Sequence, residues 1–204
     1  MSRWLCSTIS LIGIYLVLEG AAIGQPVPTE GPLEAFLGPA HFEMQKVFSD
    51  QRFPNIVVTN QGTVLATWGS SAVSARRSED GGRTWGPSIT IAPEGIHGGG
   101  TIVDEATGDL LVFVEKSHPP APITIYRSKD DGLSWQAELE TVIQPDSQGH
   151  PASMHMNEHG ITLRQGEHKG RLLRAARYYG KKNDRSEWPH HYTNAIFSDD
   201  GGKT

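Results

Sequence analysis

Two of the places in this chain that hold histidine stand out as able to move protons near neutral pH. His97 precedes Gly98-Gly99-Gly100, and the run Met154-His155-Met156-Asn157-Glu158-His159 sets two imidazoles beside a carboxylate. An imidazole titrates near pH 6.5 and so serves as acid or base there, and Glu158 could orient or charge its neighbours. The plainer alternative is a hydrogen-bonded loop histidine or one idle at the surface. His155 and His159 also have the i, i+4 spacing of a metal pair, but that pair needs a helix, and Pro151 and Gly160 bracket a loop. No metal and no cofactor is expected.

Such groups act only if a scaffold brings them together, and the scaffold is legible as a repeat. Ser78-Glu79-Asp80-Gly81-Gly82-Arg83-Thr84-Trp85 returns as Ser128-Lys129-Asp130-Asp131-Gly132-Leu133-Ser134-Trp135. It returns again, without the last residue, as Ser198-Asp199-Asp200-Gly201-Gly202-Lys203-Thr204. Units recurring at tens of residues form solenoids, propellers or arrays, because one unit cannot bury its apolar face alone. Each octet reads as a tight hairpin turn: Ser78, Ser128 and Ser198 with Asp80, Asp130 and Asp200 cap backbone N–H groups. Gly82, Gly132 and Gly202 supply a positive φ, while Trp85 and Trp135 pack on neighbouring strands. The carboxylates are too few for a calcium loop.

A strand-like run precedes every octet, at Ala72–Ala75, Ile123–Tyr126 and Thr193–Phe197. Ahead of each lies a further hairpin signal: 55–59 with 63–68, 101–104 with 110–114, and 160–163 with 171–176. About four strands per repeat is the blade of a β-propeller, so the fold expected is all-β with four-stranded antiparallel blades. The chain holds about three of them. Its third octet stops one residue before the tryptophan that the pattern calls for, as in the N-terminal piece of a longer protein.

The first residues read as an export signal: Arg3, an apolar stretch from Leu5 to Leu18, and small residues at Ala22-Ile23-Gly24. The division expected is a signal peptide at 1–24, a lead-in at 25–47 and the repeat from 48 to 204. Cys6 would leave with the signal, so the mature chain carries no cysteine, which suits a periplasmic or secreted protein held by packing. No membrane contact is expected after cleavage. A net charge of −5 argues against nucleic acid. The basic residues nevertheless crowd the third unit. Most are solvated there, while a minority, with Arg177 as the candidate, could meet an anionic sugar.

The octets resemble the Asp-box (BNR) repeats of the sialidases, also called neuraminidases. Gln51-Arg52-Phe53-Pro54, followed by Asn55 to Thr59, Gly62 and Leu65, is similar to the Arg-Ile-Pro segment that opens their first blade. The resemblance runs from about Phe48 to the end of the chain. It implies a six-bladed propeller that hydrolyses terminal sialic acid with retention, through a tyrosine nucleophile, its glutamate partner and an aspartic acid/base. It also implies that Arg52 is one of three arginines gripping the sugar carboxylate, a role that a bidentate guanidinium fork suits. The alternative for Arg52 is a solvated arginine at a strand start. The family pattern departs at two places. Trp68–Ser74 carries no carboxylate where the acid/base aspartate is expected, and His97-Gly98-Gly99-Gly100 stands where a second aspartate would lie. In the propeller reading His97 and the 154–159 segment approach the same face as Arg52. Three functions follow: an exo-sialidase, a histidine-using glycosidase or lyase on other uronic or sulfated glycans, or a non-catalytic carbohydrate-binding propeller.

Overall fold

The computed structural model describes residues 42–49, 51–118, 121–150, 152, 158–179, 186 and 190–204. The export signal and His155 lie outside these residues. The chain divides into two units, Met1–Glu43 and Met44–Thr204. Of the first, only the exposed Phe42 and Glu43 are described.

The second unit is built of antiparallel strands in three sheets. Sheet 1 runs in the order β1 (Asn55–Val58), β2 (Val64–Trp68), β3 (Val73–Ser78) and β4 (Ile89–Ala92). Sheet 2 holds β5 (Ile96–His97), β6 (Ile102–Val103), β7 (Leu110–Glu115), β8 (Ile123–Ser128) and β9 (Gln136–Glu138). Sheet 3 runs β10 (Ile161–Thr162), β11 (Leu172–Tyr179) and β12 (His191–Ser198). All the hairpins expected from the turn signals are present. The five strands of sheet 2 fill only four places, because β5 and β6 both pair with the same edge of β7, His97 opposite Val114 and Ile102 opposite Leu111. They are one strand interrupted at Gly98–Thr101. The Gly98 N–H still donates to the Phe113 carbonyl across the break.

The apolar run of β7 explains how the sheets join. All six of its residues are buried, as a strand covered on both faces requires. Leu110, Val112 and Val114 pack with Val57, Leu65, Val73 and Ala75 of sheet 1. Leu111 and Phe113 point the other way, onto Leu172 and Ala176 of sheet 3. Alternation along one strand thus fastens two interfaces.

The octets close the outer hairpins through a repeated set of bonds. In the first, the Ser78 hydroxyl donates to Asp80 Oδ1 and accepts the Gly82 N–H, both at 2.8 Å. Asp80 also accepts the backbone N–H and hydroxyl of Thr84. Ser128, Asp130, Gly132 and Ser134 repeat this, as do Ser198, Asp200, Gly202 and Thr204. Two consecutive residues in each turn take a positive φ. Glycine supplies the first of these in the outer copies, whereas Asp131 takes φ 60° in the middle one.

That substitution has a use, since Arg77 of sheet 1 donates to both the Asp131 carbonyl and its carboxylate, at 2.8 Å each. Arg127 repeats the reach from sheet 2, donating to the Gly201 carbonyl of the third octet at 2.8 Å. The two arginines precede the serines of their own octets. They latch each sheet to the turn of the next.

The tryptophans differ from one another. Trp135 packs against the core shared by sheets 1 and 2 and donates its indole N–H to the Gly132 carbonyl at 3.2 Å. Trp85 stands on the first sheet, with no described sheet before it, and is half-exposed. Its indole N–H goes to Gln45 at 3.1 Å instead.

Candidate functional site

The octets occupy one end of the strands, and Arg52, His97 and Glu158 collect at the other. Arg52 lies three residues ahead of the start of β1 and is exposed. Its carbonyl accepts the Gly69 N–H at 3.0 Å, and the Gly69 carbonyl accepts the His97 N–H at 3.0 Å, so three sequence segments are tied in a row. Phe53 has φ 59°, a left-handed backbone that a bulky residue rarely adopts, and the Arg52 guanidinium lies 4.7 Å from the centre of its ring. Strain of this kind persists only where the surroundings impose it, and it is common beside functional groups.

Asn55 carries the line from sheet 1 to sheet 2, its Oδ1 accepting the Thr101 N–H at 3.0 Å. The interrupted strand then meets the start of sheet 3. The Gly100 N–H donates to the Glu158 carbonyl and the Gly160 N–H to the Thr101 carbonyl. A Cβ on Gly100 would lie 2.1 Å from the His159 Cα, so only glycine allows this approach. Glu158 and His159 are both exposed, and His159 borders a groove of about 760 Å³ lined also by Ile56, Val58 and Ile161.

His97 is not open to the groove. It is 1 % exposed, and its Nε2 shares a hydrogen bond with the Thr67 hydroxyl at 3.1 Å, which in turn meets that of Thr101. Burial first, and then the nearby Arg174 cation, push its pKa down to about 3, with the Phe53 backbone offsetting part of the shift. The ring is therefore neutral at pH 7.

Arg174 was visible in the sequence only as one of many basic residues. In β11 it is buried to 2 % exposure, donates from Nη1 to the Gly100 carbonyl at 3.1 Å and lies 4.3 Å from the Phe113 ring centre. Burial lowers its pKa to about 10, against the pull of Glu115 and Glu158, so it stays charged. The signal was its phase. Leu172 and Ala176, at alternate positions of the same strand, are core residues, which puts residue 174 on the buried face. Arg177 has the opposite phase, so it faces away from Arg174 across the sheet. Among the described residues, no group of three or more His, Cys, Asp or Glu converges as a metal site would need.

The acid sensitivity of the fold follows from these groups. His97 has a folded pKa below its unfolded value near 6.5, so its contribution is complete above that pH and falls as protonation of the unfolded chain takes over. The loss should run at up to about 1.4 kcal/mol per pH unit between pH 6.5 and the folded pKa near 3. Hydrogen bonds from Thr84 and Ser78 hold Asp80 below the usual carboxylate range, and Asp200 is held likewise by Thr204 and Ser198. A second loss should therefore open below about pH 4. Thermal melts across pH 3–8 test this. The first limb should vanish in a His97→Gln variant while the second remains.

No family model matches the chain. A curated protein described as a sialidase, from Micromonospora viridifaciens, is 30% identical over 193 residues, an alignment covering 75% of this chain. Among solved structures, "Hadza microbial sialidase Hz136" superposes with a TM-score of 0.55 at 21% identity, over 76% of this chain and 36% of that one. The fold is sialidase-like. The chain spans only 29% of the length of the curated relative. In this sialidase-like fold, Arg52, Gly100 and Glu158 stand at the heads of neighbouring sheets, at the end opposite the octets.

Proposed function

We propose that the protein is an exo-sialidase-like glycoside hydrolase acting on terminal sialic acid or a related acidic sugar, with Arg52 binding the substrate carboxylate. The observation that carries this is the setting of Arg52. It is the exposed cation at the head of β1, its carbonyl is pinned by Gly69, and its guanidinium rests over the strained Phe53. A guanidinium held this way loses little freedom on taking a carboxylate, and its planar fork offers two parallel donors. The likeness to the curated sialidase supports the same reading.

In this reading the three sheets are the first blades of a six-bladed propeller. Residues 1–24 direct export and 25–47 lead into the repeat. Glu158 and His159 supply the exposed acid–base groups at this end, and His97 serves as a neutral prop beneath the glycine run. A second reading, a carbohydrate-binding propeller without catalysis, is favoured by two observations: Trp68–Ser74 carries no carboxylate, and His97 is closed off.

Calorimetric titration with sialic acid and with a neutral hexose tests the role of Arg52. Arg52→Lys is expected to weaken sialic acid binding at least tenfold with an unchanged melt, since an ammonium cannot reproduce the fork. Equal affinities for wild type and variant would remove Arg52 from the site.

A further inference from the structure

Sheet 3 stands taller than its neighbours at the Arg52 end. β3 and β8 each run six residues into their octet serines, Ser78 and Ser128, whereas β12 runs eight into Ser198. The first residues of β12 therefore carry its hairpin with β11 past the heads of sheets 1 and 2, and in this extension Tyr192 lies opposite Tyr178. Their rings stack with centres 5.1 Å apart and planes 14° apart. His150, from the connection that leaves sheet 2, lies flat on Tyr178 at 4.2 Å and 7°. Its Nδ1–H donates to Asp146 Oδ2 at 3.1 Å, and Asp146 Oδ1 accepts the N–H groups of Gln148 and His150 at 2.9 Å each. The backbone bond from His150 leads the causes that hold the Asp146 carboxyl below its ordinary range, so it is charged at neutral pH. The tyrosine pair continues the face on which Ala176 and Ile196 pack toward sheet 2, and Tyr192 at its end is 47% exposed.

We propose that Tyr192, braced by Tyr178 and His150, is the stacking platform for a neutral pyranose on the leaving-group side of the acidic sugar. The proposal rests on the glycosidase reading and adds a second sugar to it. Three features fix the occupant. An aromatic ring already fixed in a stack offers a flat π face to the C–H face of a sugar and gives up little freedom on binding it. Burial first, and then the Asp146 charge, raise the Tyr178 pKa, which places that carboxylate beside the stack. There it accepts sugar hydroxyls and repels a second anionic ring. Finally, β12 lies two strands out from β10, roughly 10 Å at the usual strand spacing, and β10 continues the line of β1 and β6 at whose head Arg52 stands. A ring on the stack is therefore a different sugar from the one that Arg52 would hold.

The test is calorimetric titration of the chain with sialic acid, lactose and sialyllactose. Wild type should bind sialyllactose about tenfold tighter than sialic acid, and Tyr192→Ala should erase that gain while leaving sialic acid affinity unchanged. Tyr192→Phe keeps the ring and should bind all three as wild type does. Arg52→Lys should weaken both acidic ligands and leave lactose as it was. Loss of lactose binding in Tyr192→Ala from a chain that ignores sialic acid would sink the acidic-sugar reading and uphold the platform. Sialyllactose bound no tighter than sialic acid by wild type, or a gain that survives in Tyr192→Ala, overturns the platform whatever Arg52 does.

Discussion

Gly100→Ala is expected to lower the melting temperature by about 6–12 °C, the equivalent of about 3 kcal/mol in a domain of this size. The added methyl would sit 2.1 Å from the His159 Cα and 2.2 Å from its backbone nitrogen. No rotamer change relieves a clash between two main chains, so either sheet 3 moves off sheet 2 or the glycine run is pushed out. Both outcomes release Arg174 from the Gly100 carbonyl and shift the neighbours of Arg52. Gly86→Ala is the control. Its Cβ would meet only the Arg77 carbonyl, at an ordinary 3.5 Å, and Tm should change by no more than about 2 °C. Equal melts for the two variants would mean that the close crossing at Gly100 is absent from the folded protein.

The second large effect is expected at Arg127. This guanidinium is 8% exposed and holds Glu138 at 2.7 Å and Asp109 at 3.0 Å together with the Gly201 carbonyl. Arg127→Leu leaves two carboxylates and a carbonyl facing an apolar side chain, which should cost about 3 kcal/mol. Arg127→Lys should recover little of it, because one ammonium cannot span three partners in different directions. Arg171→Ala provides the contrast. It breaks a bidentate pair with Asp199, but that partner is 58% exposed, and a loss below about 1 kcal/mol is expected in urea titrations. A loss at Arg127 as small as at Arg171 would show that the latch between sheets 2 and 3 carries no load.

The parts of this fold that were readable from sequence are those whose physics is local. The octets declare themselves because serine, aspartate and glycine satisfy one another's hydrogen bonds within five residues, whatever surrounds them. The hairpins are similarly marked by turn residues between β-branched runs. The split of one strand into β5 and β6 was hidden, because three consecutive glycines read as a loop and only the register against β7 shows that pairing resumes. The depth of His97 was hidden for a related reason. Its burial depends on Thr67 from sheet 1 and on the approach of Arg174 from sheet 3, and neither is near it in sequence. Arg77 and Arg127 gave a signal that composition obscures. The residue before the octet serine is arginine in the first two copies, and in the third it is Phe197.

That last difference bears on how the molecule assembles. The latch from Arg77 to Asp131 closes a span of 54 residues, and the one from Arg127 to Gly201 closes 74. Each needs the following hairpin before it can form, so ordering of the chain from its N-terminal side is held back until the next unit has emerged. Contacts of such separation slow folding, and they tie the cooperativity of a unit to its successor rather than to itself. Phe197, stacked under Arg171 at 4.1 Å, ends this succession: sheet 3 offers no guanidinium from that position, and it can complete its own hairpin without waiting for another.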